Sequence, residues 1–237
     1  MPVSRTDAEM EMNPSSRPRL AAFTLIELLV VIAIIAVLAA FLFPAFQGMT
    51  NRAKTTQAKS DLMQIVTAVN AYYTEYGKYP IPTTVTTDTA LSRTDDLFYT
   101  LRAVNPGSGA NSGDVANPRK IVFLSPADAK DTARPRSGIA AADVTVNGVT
   151  ITKGEFIDPW GTPYKVAIDG DYDNQINPNP YGATGGAGSD PIRAGVIAWS
   201  LGKNGQLGGG SALNSAFDKE GGTANIYTGS GDVISWQ

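Results

Sequence analysis

Carboxylate and amide side chains that could hold a hard cation are concentrated in two loops near the C-terminus, each rich in acidic or amide residues. The first loop, 169–176, carries Asp at alternate positions, a spacing that calcium-binding loops use. Its twelfth position, where such a loop needs a bidentate Glu, is Pro180. We interpret this loop as a hairpin turn of solvated Asp and Asn residues, with a weak calcium site as the alternative. The second loop, 200–210, contains Asn204, and Asp232 follows it near the end of the chain.

The composition excludes most kinds of catalysis. The chain has 237 residues and a net charge of −3, and it contains neither Cys nor His. Thiol nucleophiles, disulfides and imidazole ligands are therefore excluded, and a metal would have to be held by oxygen. The charge balance also argues against nucleic-acid binding. An enzyme would need carboxylates that converge from Glu155, Asp158 and the 169–173 loop, and we predict that the protein is not an enzyme.

A long apolar run near the N-terminus is preceded by one acid. Glu27 stands directly before Leu28–Phe46, 19 residues without charge. As a helix this run reaches about 28 Å, enough to cross a bilayer core of about 30 Å. Three interpretations fit: a signal peptide cleaved near Ala39 and Ala40, a plain membrane anchor, or a span in which the acid has a functional partner.

The residues around this acid carry a family resemblance. The segment 22–27, Ala-Phe-Thr-Leu-Ile-Glu, resembles the prepilin cleavage and methylation motif of type IV pilins and type II secretion pseudopilins. The resemblance implies that prepilin peptidase cuts between Ala22 and Phe23 and that Phe23 is then N-methylated. It also implies that Glu27 compensates the charged amine of Phe23 on a neighbouring subunit. The family usually has Gly where this chain has Ala22.

The resemblance also implies one long helix. Residues 1–22 would be a leader, 23–46 a membrane-spanning and filament-core helix bent at Pro44, and 47–80 an amphipathic continuation. Apolar residues follow helical spacing in that continuation, at Ala58, Leu62, Ile65, Val66, Val69 and Tyr73. The alternative is that the first helix ends at Phe43.

Residues 81–157 form a variable region to which we assign no chemistry. The pattern predicts a short helix from Asp88 to Val104, a strand at 120–124, and a hairpin over 144–151 that turns at Asn147-Gly148.

The C-terminal part, 158–237, is predicted to be a small β-sheet domain. Its first residues, 158–164, resemble an element of major pseudopilins, and we interpret them as structural. The 200–210 loop and the ending 232–236 resemble the calcium site of the same proteins. The resemblance implies calcium ligands at the carbonyl of Leu201, the amide oxygen of Asn204 and the carboxylate of Asp232. Asp218, within the extra residues 211–231, is a candidate substitute ligand, and a self-closed glycine-rich loop is the alternative.

Together these features predict an α+β, pilin-like fold and a subunit of a type II secretion-like pseudopilus. The predicted partners are prepilin peptidase, further copies of the chain and minor pseudopilins. The predicted location is the bacterial inner membrane, crossed once, with the C-terminal domain in the periplasm before filament assembly. The alternatives are a type IV pilin subunit and a secreted calcium-dependent binding module.

Processing at the 22–23 junction is the first prediction. Co-expression with a prepilin peptidase should give a mature chain that begins at Phe23. Ala22→Gly should be cut at least as fast, and Ala22→Leu should block cutting because the peptidase requires a small residue there. Mass spectrometry of the mature N-terminus decides, and a start downstream of Ala36 would contradict the motif and favour a secreted product.

Overall fold

The computed structural model describes residues 24–81 and 87–237, apart from the side chains at 41–47 and 89. The chain divides into two compact units, Met1–Gly48 and Met49–Gln237. The longest element is helix α1, which runs for 52 residues over Leu25–Tyr76. A long helix followed by small antiparallel sheets confirms the predicted α+β class.

In the first unit, α1 exposes its large apolar side chains. The exposed fraction of these side chains between Leu25 and Leu38 ranges from 44 % at Val31 to 88 % at Leu25. Among the residues that the structure describes, no helix has both the length and the apolarity needed to cross a membrane.

The predicted span 23–46 lies only partly within the described structure. Phe23 and the side chains at 41–47, including that of Pro44, are outside the described residues. The backbone of α1 is helical through position 44, so the alternative that the helix ends at Phe43 is wrong. The bend at Pro44 stays a prediction.

The second unit contains the rest of α1, one further α-helix and the described strands. After α1 these elements are β1 (Thr89–Ala90), α2 (Asp95–Leu101), a 3₁₀ turn (Ser112–Asp114), β2 (Gly138–Ile139), β3 (Val144–Val146), β4 (Val149–Ile151), β5 (Phe156–Ile157), β6 (Lys165–Ile168), β7 (Val196–Ser200) and β8 (Val233–Ile234).

Local predictions in the variable region were partly right. The hairpin β3–β4 forms as predicted and turns at Asn147 and Gly148, both with positive φ, as a two-residue turn requires. Helix α2 covers only part of 88–104, because residues 89 and 90 pair with β6 as a strand. The strand predicted at 120–124 is wrong, since the amides of Phe123 and Leu124 both donate to the carbonyl of Leu101 at the end of α2.

The main sheet has the order β1-β6-β7-β8, and all its neighbouring strands are antiparallel. Its central strand β7 is buried along its whole length, so both faces of the sheet are covered. Val196 and Ala198 contribute to a core shared with α1 and α2, whereas Ile197 and Trp199 contribute to a second core on the other face. This period of two follows from the pleat of the strand.

The second half of α1 packs on the first of these cores. Its buried face is formed by Ala58, Leu62, Ile65, Ala68, Val69 and Tyr72. The predicted stripe was correct up to Val69 but ended on the wrong tyrosine. Tyr72 is 1 % exposed, whereas Tyr73 is 39 % exposed and stacks on Tyr79.

A buried acid ties α1 to the sheet. Asp61 accepts hydrogen bonds from the hydroxyl of Tyr164 at 2.8 Å and from Nε2 of Gln57 at 2.7 Å. Burial raises the pKa of Asp61, and these two donors oppose the shift. The carboxylate therefore depends on its donors to remain charged inside the protein.

Asp158 organises the turn that precedes β6. Its Oδ1 accepts the backbone amides of Trp160, Gly161 and Thr162 at 2.8–2.9 Å. Its Oδ2 accepts the hydroxyls of Thr162 and Ser200 at 2.7 and 2.6 Å. These contacts join the 158–164 element to β7 and agree with its interpretation as a structural element.

Removal of the Tyr164 hydroxyl should destabilise the protein. Tyr164→Phe keeps the ring but leaves the buried Asp61 carboxylate without one donor, so we expect a loss of about 1.5–3 kcal/mol. The measurement is denaturant unfolding of the full chain in detergent. The matched control is Tyr73→Phe, at an exposed ring, which should change the free energy of unfolding by less than about 0.5 kcal/mol. Equal effects of the two changes would contradict a special role for the Tyr164–Asp61 bond.

Candidate functional site

Glu27 closes the N-terminus of α1. Thr24 precedes the helix, and its backbone amide and hydroxyl donate to Oε2 of Glu27 at 2.8 and 2.7 Å. In return the amide of Glu27 donates to Oγ1 of Thr24 at 3.3 Å. This reciprocal arrangement is a capping box, which satisfies amides that a helix start otherwise leaves without partners. Ala22 and Phe23, the predicted cleavage and methylation residues, lie outside the described residues.

Sequence reasoning assigned Glu27 only an intermolecular role. The capping function was missed, although the spacing Thr-x-x-Glu before an apolar run is its usual signal. The carboxylate of Glu27 therefore already has local hydrogen-bond partners in the single chain.

The second candidate site lies where the glycine-rich loop meets the start of β8. Asp232 is 6 % exposed, and its Oδ2 accepts the hydroxyl of Tyr181 and the amide of Gly208, both at 2.6 Å. Its Oδ1 is buried and has no hydrogen-bond partner within the described part of the chain. A buried oxygen without a partner is uncommon and calls for an explanation.

A second buried carboxylate belongs to Glu220. Its Oε1 accepts the amide of Lys203 at 3.2 Å, whereas its Oε2 is buried and lacks a partner in the described structure. The Glu220 side chain lies against Gly231, where a Cβ atom would overlap Oε1. The absence of a side chain at this glycine therefore lets the Glu220 carboxylate lie beside the residue that precedes Asp232.

Burial dominates the electrostatics of the two acids. It raises the pKa of Asp232 to about 7, against the lowering effect of the hydrogen bonds from Tyr181 and Gly208. The charge of Glu220 contributes to the same upward shift of the pKa of Asp232. Burial also raises the pKa of Glu220. Each carboxylate is therefore costly to ionise without a cation.

Two of the predicted calcium ligands meet at Gly208. The buried Asn204 donates through Nδ2 to the carbonyl of Gly208 at 2.7 Å, and its Oδ1 accepts the amide of Gln206 at 2.9 Å. The amide of the same Gly208 donates to Asp232. Leu201 is half-buried and packs on the core that contains Trp199.

Asp218 and Glu220 differ in their environment. Asp218 is exposed, although its amide donates to the carbonyl of Lys203, and the buried acid of the 211–231 segment is Glu220. Sequence reasoning missed Glu220 because nothing in its spacing sets it apart from the neighbouring acid. Its burial depends on the segment folding back, with Gly208 bridged to Ala224.

The donor set of this second site suits a hard cation. Asp232 and Glu220 each offer a buried oxygen without a partner in the described structure. The buried Asn204 has an amide oxygen that accepts a hydrogen bond from Gln206. Calcium takes carboxylate, amide and carbonyl oxygens in a flexible geometry. We call the cluster of Asn204, Glu220 and Asp232 the C-terminal acid site.

The first acidic loop is organised differently. Asp169 accepts the amides of Tyr172, Asp173 and Asn174, and Asp88 accepts those of Gly170 and Asn177. Oxygen atoms of Asp88, Asp169 and Asp171 lie within 4.8 Å of one another. All three of these acids accept backbone amides, as expected of a turn, whereas the C-terminal acid site keeps unpartnered oxygens.

Comparison with known proteins points to the N-terminal segment. Residues 17–43 match the prokaryotic N-terminal methylation motif. The chain is 42 % identical over 62 residues to the type IV major pilin protein PilA of Myxococcus xanthus, covering 26 % of this chain and 28 % of that protein. It is 47 % identical over 58 residues to the type IV major pilin protein PilE1 of Neisseria gonorrhoeae, covering 24 % and 35 %.

A third relative extends the similarity. A fimbrial protein of Pseudomonas aeruginosa is 35 % identical over 95 residues, covering 40 % of this chain and 58 % of that protein. The chain thus spans about a third of the length of the first two relatives and somewhat more than half of the third. No solved structure gave a significant match. The methylation motif and these relatives make the chain similar to type IV pilins and fimbrial proteins over part of its length.

Proposed function

We propose that the protein is the structural subunit of a helical filament that is assembled from the bacterial inner membrane. The observation that carries the proposal is the methylation motif, continued by a capped helix whose apolar side chains are exposed from Leu25 to Leu38. Such a surface is unstable in water and needs lipid or other apolar helices around it. The role is structural and assigns no catalytic step to the chain.

In this proposal prepilin peptidase removes residues 1–22 and methylates Phe23. The apolar half of α1 holds the subunit in the membrane before assembly and packs among other copies afterwards. The unit Met49–Gln237 faces the periplasm. During assembly the carboxylate of Glu27 exchanges a hydrogen bond to Thr24 for the amine of Phe23 on a neighbouring copy, because an unpaired ammonium in apolar surroundings costs several kcal/mol.

We further propose a pseudopilus of the type II secretion kind, which supports protein export together with minor pseudopilins. The support comes from the C-terminal part: the Asp158-centred turn, the absence of Cys from the sequence, and a chain end held by Asp232. A type IV pilus subunit is the second candidate, and it is favoured by the relatives, which are pilins and fimbrial proteins.

Two variants of Glu27 test the assembly mechanism. Glu27→Gln keeps an oxygen that can accept from Thr24 but removes the charge, and Glu27→Val removes both. If the charge pairs with the amine of Phe23, both variants should insert and be cleaved normally but lose most filaments. The measurement is the yield of sheared filaments against total subunit in the membrane.

The matched control for these variants is Thr24→Val, which removes the hydroxyl of the capping box and leaves Glu27 intact. It should keep filament formation. Normal filaments from Glu27→Gln, with loss from Thr24→Val, would show that capping rather than charge matters, and would overturn the pairing mechanism.

We also propose that the C-terminal acid site holds calcium. Asp232 and Glu220 would supply carboxylates, Asn204 its amide oxygen and Leu201 its carbonyl. The ion would supply the positive charge that two buried acids need and would fix the glycine-rich loop to β8. With one amide in the set, we expect weak affinity, in the 10⁻⁴–10⁻³ M range of extracellular modules.

The proposed site predicts a stability that depends jointly on pH and calcium. In chelator, Asp232 keeps its proton up to about pH 7 when folded, but loses it near its ordinary pKa of 3.8 when unfolded. The free energy of unfolding should therefore fall as the pH rises from about 4 to about 7. Calcium binds the ionised form, so it should add about 2.7 kcal/mol at a hundredfold excess over Kd at pH 8, and little at pH 5.

Variants separate the ligands in this measurement. Asp232→Ala and Glu220→Gln should abolish the calcium effect, Asn204→Asp should strengthen it, and Asp218→Asn and Asp171→Ala should leave it unchanged. If the full chain has the same melting temperature in chelator and in calcium, the proposed calcium site is wrong. An effect lost only in Asp171→Ala would place the ion in the first acidic loop instead.

A further inference from the structure

A polar cleft opens in the variable region, between the start of α2 and the β3–β4 hairpin. Its cavity volume is about 710 Å³, within the range of small-molecule sites. Its lining includes the side chains of Arg93, Asp96, Tyr99, Asn105, Asp143 and Lys153. A smaller cavity of about 330 Å³ shares Arg93, Asp143 and Thr152 with it and continues along the hairpin.

The acceptors of this cleft are held in place by the backbone. Oδ1 of Asp143 accepts the amide of Lys153 at 2.7 Å, and Oδ1 of Asp96 accepts the amide of Ala110 at 3.2 Å. Within the described residues, the second oxygen of each carboxylate has no protein partner. One oxygen thus fixes the side chain, while the other can accept a hydrogen bond from a ligand.

The amide and the aromatic ring of the cleft are fixed as well. Oδ1 of Asn105 accepts the amides of Gly107 and Gly113 at 2.9 and 3.2 Å, which leaves its NH₂ group as a donor. The hydroxyl of Tyr99 donates to the carbonyl of Lys153 at 2.9 Å, and its ring lies so close to Gly154 that a Cβ there would overlap it. Side chains fixed in advance lose little entropy on binding.

The charges of the cleft select against charged ligands. Arg93 is neutralised by a two-point contact with Asp95, at 3.2 and 2.7 Å. An anion would therefore face Asp96 and Asp143 with only Lys153 to attract it. A cation would be attracted by Asp96 and Asp143, but it could not accept hydrogen bonds from the donors of Asn105 and Lys153. An apolar ligand would strip water from polar groups without replacing it. A neutral ligand with many hydroxyl groups, each able to donate and accept, avoids all three costs.

We propose that this cleft binds a neutral oligosaccharide. The hydroxyls of the sugar donate to Asp96 and Asp143 and accept from Asn105 and Lys153, and Tyr99 offers an apolar edge to the ring. This binding is independent of filament assembly, since it uses none of the residues on which that proposal depends.

The test uses the chain without its leader, residues 1–22, in a zwitterionic detergent. Detergents with sugar headgroups are avoided because they would compete with the probes for the cleft. The probes are maltotriose, cellotriose, N,N′,N″-triacetylchitotriose and lactose, with trigalacturonate as the anion and spermidine as the cation. Saturation-transfer NMR detects binding, and calorimetry measures affinity. At least one neutral sugar should bind at least tenfold more tightly than either charged probe.

Two substitutions that keep the backbone contacts test the site. Asp143→Asn keeps the Oδ1 acceptor but turns the free acceptor into a donor, and Asn105→Asp removes the free donor. Each should weaken sugar binding at least tenfold. The control Asp131→Asn makes the same charge change as Asp143→Asn, but at an exposed turn outside the cleft. It should leave the affinity for the sugar unchanged. Binding of no neutral sugar, tighter binding of a charged probe, or equal loss in Asp131→Asn would overturn the proposal.

Discussion

The packing of the second half of α1 on one face of the main sheet is the constraint on which the globular unit depends. Leu62, Ile65 and Val69 lie in the same core as Val166 and Ala198 of the sheet. This burial determines which side of β6 and β7 faces the helix, because the side chains of a strand alternate between its faces. Asp61 makes this packing specific, because its hydrogen bond with Tyr164 forms only when α1 is aligned with the sheet in one way. Apolar packing supplies most of the free energy, and the polar bond selects the arrangement.

The difference between local signals and distant contacts explains which predictions from the sequence were correct. The amphipathic continuation of α1 and the hairpin at Asn147-Gly148 were predictable, because periodicity and turn chemistry are local signals. The failures occurred where a distant contact decides. Residues 89 and 90 form a strand because β6 offers them partners, and residues 120–124 form none because Leu101 takes their amides. In the candidate site, the resemblance pointed to Asp232, whose role as a ligand stays a prediction. Glu220 could not be singled out from the sequence, because its burial depends on the fold of the 211–231 segment.

Gly208 links the glycine-rich loop to the end of the chain. Its carbonyl accepts from Asn204 and its amide donates to Asp232, so one residue connects the two halves of the C-terminal acid site. Gly208 has a φ of 81°, and a Cβ there would lie 2.5 Å from the backbone amides of Asn225 and Ile226. Glycine is therefore required both for the backbone conformation and for the close approach. The chain buries two carboxylates at this junction, and in the described structure each keeps one oxygen without a partner. The proposed calcium ion would offset the cost of ionising them.

Glu27, in contrast, is a carboxylate with two roles that differ in free energy: it caps α1, and in the proposed filament it pairs with an amine. As a capping residue it contributes on the order of 1 kcal/mol to the start of α1. In the proposed filament, leaving the amine of Phe23 unpaired among apolar helices would cost several kcal/mol. When a neighbouring subunit brings that amine close, pairing therefore outweighs capping. The exchange does not abolish the cap, because Oγ1 of Thr24 still accepts the amide of Glu27. In the proposed filament, Thr24 would thus let the carboxylate move to an intermolecular partner while the first turn of the helix keeps one of its bonds.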